Sequence, residues 1–158
     1  MAEDTGPAST RYWIDPRDKP GLLRETMQFL AGDAHVSFEG NLSRCAFPAP
    51  LKPSAHETQA LCRSTVSPKL DFAVLSLEPD AIGPILEVIL PDWRYLDDII
   101  HIQIERGGKL QFGSYDNFHR ECVVCHAGVE TSLLDKLKSS GVIRSWQVAP
   151  ADEHRWHD

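Results

Sequence analysis

Nowhere in this 158-residue chain does an apolar run approach the ~20 residues that a membrane-spanning helix needs. Basic charge is also in short supply. The 16 Lys and Arg are outnumbered by 23 Asp and Glu, for a formal charge of −7 and a pI near 5.4. Binding to a phosphate backbone needs clustered Lys and Arg, so nucleic acid and an anionic membrane surface are disfavoured as partners. A protein with a basic surface is compatible. The start, MAEDTGPAST, has neither the basic residues nor the apolar core of a signal peptide. It reads as a disordered leader over residues 1–10, and the expected location is cytoplasmic. The G-x-S-x-G, G-x-x-x-x-G-K-[ST] and G-x-G-x-x-G patterns are missing, and so is any repeat of about 20 to 50 residues. These absences argue against an enzyme and point to a binding function without a cofactor. Cysteine is limited to Cys45, Cys62, Cys122 and Cys125, expected to be reduced in the cytoplasm.

What is present is ordinary globular composition, 42% hydrophobic and 25% charged, expected to fold as one domain over residues 11–148 with a polar tail over 149–158. The clearest stretch is residues 99–118. Ile100, Ile102 and Ile104 alternate with His101, Gln103 and Glu105, the pattern of a half-buried strand. Gly107 and Gly108 supply the positive φ of a tight turn, and Leu110 and Phe112 resume the alternation. Further strands are expected at residues 11–14, 34–45, 57–65, 71–77, 121–126 and 142–148. In 71–77 apolar groups on both faces predict a central strand. Three helices are expected: Leu23, Met27 and Leu30 form one apolar stripe after Asp18, and Ile82, Ile85, Leu86, Ile89 and Leu90 form a second. Leu133, Leu134 and Leu137 form the third. Pro48, Pro50 and Pro53 make residues 46–56 a Pro-rich loop.

This order predicts an α+β two-layer sandwich, a mostly antiparallel sheet with helices on one face. Residues 1 to about 105 fit a ferredoxin-like βαββαβ core, followed by an additional C-terminal helix–strand unit. Asp18-Lys19-Pro20-Gly21-Leu22-Leu23, between a strand and an amphipathic helix, resembles the opening of ACT domains. That resemblance implies an amino-acid-sensing regulatory module with Asp18, Pro20 and Gly21 at the ligand, and side-by-side pairing as a dimer. The same residue types also serve as a helix cap, with Asp18 accepting from free amides and Pro20 in the first turn.

Cys122-Val123-Val124-Cys125-His126, preceded by His119, admits several readings. Cys-x-x-Cys-His is the spacing of haem attachment. His119, Cys122, Cys125 and His126 together offer N and S ligands to zinc, and two thiols offer a redox pair. In a strand, however, Cys122 and Cys125 face opposite ways and fill the core. The cluster Ser114-Tyr115-Asp116-Asn117-Phe118-His119 gathers a phenol, a carboxylate, an amide and an imidazole, residue types that serve turns or a polar binding patch. Acidic groups recur around Trp93 and Tyr95, which are suited to anchor a protein interface. A compact acidic chain of this kind resembles immunity and antitoxin proteins. That resemblance implies neutralisation of a protein partner through Trp93, Tyr95, Asp97, Asp98, Asp116 and Glu121.

Overall fold

The computed structural model describes residues 10–90 and 97–150. Residues 1–9 of the expected leader, the tail beyond residue 150, and both Trp93 and Tyr95 lie outside the described residues. The chain is an α+β fold built on one sheet of seven strands, paired antiparallel throughout. These are β1 (Arg11–Pro16), β2 (Ala34–Gly40), β3 (Asp71–Ser76), β4 (Ile99–Arg106), β5 (Lys109–Ser114), β6 (Val123–His126) and β7 (Ile143–Val148). Among the described residues three α-helices, α1 (Lys19–Leu30), α2 (Ile82–Ile89) and α3 (Thr131–Ser139), accompany the sheet, with a 3-10 turn at Pro79–Ala81 leading into α2.

The stripes of α1 and α3 are buried as expected, whereas of the α2 stripe Ile85 and Ile89 are buried and Ile82, Leu86 and Leu90 are only partly so. Leu22, Leu23, Met27 and Leu30 of α1, Ile85 and Ile89 of α2, and Leu133, Leu134 and Leu137 of α3 join one core cluster with Val36, Phe38, Ile102, Ile104 and Phe112. The helices therefore share one face of the sheet. At about 25 cal/mol per Å² of apolar surface removed from water, this burial is the main driving force of the fold. Asp18 caps α1, its Oδ1 accepting from the Gly21 amide at 3.0 Å.

The strand order is β3-β2-β4-β5-β6-β1-β7. A ferredoxin-like unit would seat the first strand beside the third and fourth. Here β1 lies between β6 and β7 instead. The hairpin explains the difference: β5 pairs on with β6, and β6 offers its other edge to β1.

Four further expectations are corrected. First, β3 is an outer strand, not a central one. Both its faces are buried because helices cover one while Leu61 packs on Phe72 and Val74 at the other. Second, residues 57–65 form no strand. They cross the sheet as an irregular strap, in which the amides of Cys62, Ser64 and Thr65 bond to side chains of the sheet. Third, β2 stops at Gly40 rather than running to Cys45. A Cβ at Gly40 would strike the Asp98 carbonyl oxygen, and the φ there is 158°. Fourth, the register of β4 and β5 shifts between Ile104 and Glu105, so Leu110 opposes Glu105 instead of following Phe112 into the main core. The turn itself is as expected, with φ of 61° at Gly107 and 85° at Gly108.

Candidate functional site

The sheet face turned away from the helices carries the polar half of each alternating strand. A half-buried strand leaves that half in water, yet Glu39, His101, Gln103 and Glu105 are all buried. The strap covers them. Glu39 accepts from the amides of Ser64 (Oε1, 2.7 Å) and Thr65 (Oε2, 3.1 Å), and Gln103 accepts from the amide of Cys62 at 3.1 Å. A carboxylate removed from water is tolerated when its oxygens are met by donors, and here backbone amides supply them.

His101 links this network to the turn after β5. The Asp116 amide donates to its Nδ1 at 3.2 Å, which places the ring proton on Nε2, 2.8 Å from Thr65 Oγ1. Beside it the Tyr115 hydroxyl accepts from Gln103 Nε2 at 3.0 Å, and the two rings lie 5.7 Å apart. Gly113 makes room for the Tyr115 ring, since a Cβ there would sit 2.6 Å from the hydroxyl oxygen. Gly113→Ala is therefore expected to cost about 1–3 kcal/mol, as overpacking does. A lowered urea midpoint with an unchanged slope is the measurement that checks it.

Next to Tyr115 stands the most unusual backbone of the molecule. Asp116, Asn117 and Phe118 have φ of 53°, 55° and 60°, three consecutive non-glycine residues in the left-handed region. Such a conformation costs about 1–2 kcal/mol per residue, somewhat less for Asp and Asn, whose side chains bond locally. For Phe the strain has no local relief, so tertiary contacts must hold it. Phe118 is 2% exposed within the main core. The Asn117 amide donates to the Ile100 carbonyl at 2.7 Å, and Asn117 Nδ2 reaches the Asp97 carbonyl at 3.4 Å. Tyr115 and Cys122 close the turn, N to O, at 3.0 Å. Asp116, His119, Arg120 and Glu121 are left exposed on its outer side.

The acidic residues singled out in the sequence thus divide. Asp97, Asp116 and Glu121 are exposed and form no ion pair among the described residues, and Asn117 ties the first two segments together. Asp98 is different, because its carboxylate pairs with Arg44 and is matched within the chain. That contact raises the Arg44 guanidinium above its ordinary range through the hydrogen bond first and the charge second. A groove of about 320 Å³ flanks the turn, lined by Trp13, Asp15, Arg120, Glu121, Ser145 and Gln147 among others.

The thiols do not come together. Cys122 joins Trp13, Tyr115, Val124 and Ala149 on the strap side, while Cys125 is in the core beneath the helices. Burial pushes the Cys125 thiol up to about 12, far from the thiolate that metal binding or disulfide exchange requires. His119 Nδ1 lies 4.0 Å from Cys122 Sγ, and it accepts from the Glu121 amide at 3.1 Å. Among the described residues no group of three or more His, Cys, Asp or Glu side chains is placed to hold a metal ion. The Asp18–Gly21 segment opens α1, with the Asp18 carboxylate engaged as the cap, and the 320 Å³ groove is not lined by it.

A second polar centre, not legible in the sequence, joins β2 to β4. His35 Nδ1 bonds Glu105 Oε2 at 2.5 Å, across 70 positions of sequence, and the Gly108 amide donates to Glu105 Oε1 at 2.7 Å. The available signal was the pair of alternating strands, His35-Val36-Ser37-Phe38-Glu39 and His101 to Glu105, whose polar members share one face once β2 and β4 are in register. Comparison with protein-family models, with curated proteins and with solved structures finds no match to this chain.

Proposed function

We propose that this chain is a non-enzymatic binding protein that recognises a basic surface on a protein partner, in the manner of immunity or antitoxin proteins. The observation that carries the reading is the strained turn at Asp116–Phe118. Backbone strain persists only where surrounding structure over-determines it, and it concentrates at sites of recognition. This turn is held from beneath by Phe118, Ile100 and His101, and it presents Asp116 and Glu121 outward beside Asp97. A rigid acidic projection needs little ordering on binding, which favours affinity. The mechanism is electrostatic steering followed by occlusion of the partner's basic cleft.

The test combines Asp97→Lys and Glu121→Lys with Asp116→Asn, the last chosen because Asn tolerates a left-handed φ. The partner is obtained by affinity capture with the unaltered chain from the native cell. Association of the triple variant with that partner is expected to slow about tenfold or more at low ionic strength, with the difference shrinking as salt screens it. Equal association rates at low salt would remove this surface from the proposal.

A further inference from the structure

Between the start of β2, the β4–β5 turn and the strap lies a cavity of about 280 Å³, lined by Asp33, His35, Thr58, Gln59, Ala60, Glu105 and Gly108. It does not touch the acidic turn and has no part in the function proposed above. Glu105 is 6% exposed, and both its oxygens are met inside the protein, one by the Gly108 amide and one by His35. A buried carboxylate held in this way fixes the imidazole: Nδ1–H donates to Glu105, and Nε2 is the nitrogen left for another partner. The His35 side chain remains 50% exposed at the edge of the cavity. This is the arrangement by which a carboxylate orients a histidine for a ligand.

The character of that ligand follows from the remaining lining. No Lys or Arg is among these residues, and two carboxylates stand against one imidazole, so the cavity favours positive charge. A metal ion is a poor fit, because no three-ligand group exists among the described residues. Organic N–H donors fit better. The Asp33 carboxylate accepts hydrogen bonds, as Nε2 does in the neutral imidazole, while the Gln59 amide and the Thr58 hydroxyl offer further polar contacts at the strap side. We infer that this cavity is a binding site for a small organic cation bearing an ammonium or guanidinium group, received by His35 Nε2 and Asp33.

The experiment uses the full chain, ¹⁵N-labelled, titrated with agmatine, which carries one guanidinium and one ammonium group. Sodium butyrate and zinc chloride are titrated separately. Agmatine is expected to shift the His35 imidazole nitrogen resonances saturably, whereas butyrate and zinc do not. Asp33→Asn, at an exposed position that leaves the His35–Glu105 pair intact, is expected to weaken agmatine binding about tenfold, the size of one lost charge-assisted hydrogen bond. His35→Gln, followed through the backbone amide resonances of Ala60 and Gly108 in the cavity lining, is expected to abolish saturation. Absence of a saturable shift with agmatine overturns the inference, as does a shift with zinc alone or an Asp33→Asn variant that binds agmatine as well as the unaltered chain.

Discussion

Replacing Phe118 by alanine is expected to destabilise the fold by about 3–5 kcal/mol, the range for truncating a fully buried aromatic side chain. In a chain of this length that loss lowers the melting temperature by on the order of 10 °C. The expectation rests on two effects that act together. Truncation opens a cavity in the main core, because Phe118 is 2% exposed among residues of the helices and of β4, β5 and β6. It also removes the contact that holds three consecutive left-handed residues in place, while alanine at φ of 60° keeps the strain. The consequence extends beyond stability. Amides at 115–122 are expected to lose hydrogen-exchange protection before the rest of the sheet, because the turn is the part whose support was removed. A loss below 1 kcal/mol would show that the neighbouring hydrogen bonds, not the aromatic ring, hold the turn.

The second large effect is expected at Leu61, which is fully buried against Phe72 and Val74. Leu→Ala at such a site costs about 2–5 kcal/mol when the whole structure bears the loss. The strap has few other apolar anchors, so the substitution is expected to release it locally, at less than the global cost. Limited proteolysis then cuts between residues 54 and 66 while the sheet stays folded. A second readout follows from Glu39, whose carboxylate meets the amides of Ser64 and Thr65. Once the strap lifts, the Ser64 and Thr65 amides lose that acceptor and exchange with solvent faster than the amides of the sheet. If the variant resists proteases as well as the unaltered chain does, the strap is held by its polar contacts and Leu61 is secondary.

The helices and the hairpin were legible in the sequence because their signals are local. A stripe such as Leu23, Met27 and Leu30 identifies its own buried side, and Gly107-Gly108 identifies its own turn. The capping role of Asp18 was legible for the same reason. What covers the other face was not. Ser64 reaches Glu39 across 25 positions and Cys62 reaches Gln103 across 41, through backbone amides that carry no side-chain signature. Residues 57–65 therefore read as a strand, when the amides of Cys62, Ser64 and Thr65 bond to side chains. The double-sided burial of β3 misled in the same way, because a single leucine from the strap imitates the effect of a central position. Of the candidate site, the types Asp116, Asn117 and His119 suggested a turn. That Phe118 shares the left-handed backbone depends on the pocket that receives its ring, which only the assembled fold supplies.

The Pro-rich loop also finishes one border of the sheet. Ser54 donates to the Val74 carbonyl at 2.9 Å and accepts from the Val74 amide at 2.7 Å, so the outward-facing groups at the middle of β3 are already occupied. Pro53, immediately before it, has no N–H with which to recruit a further chain. Strand addition at the middle of β3 is thereby blocked. Among the described residues β7 has a neighbour on one side only, so its other edge is where another molecule can lengthen this sheet.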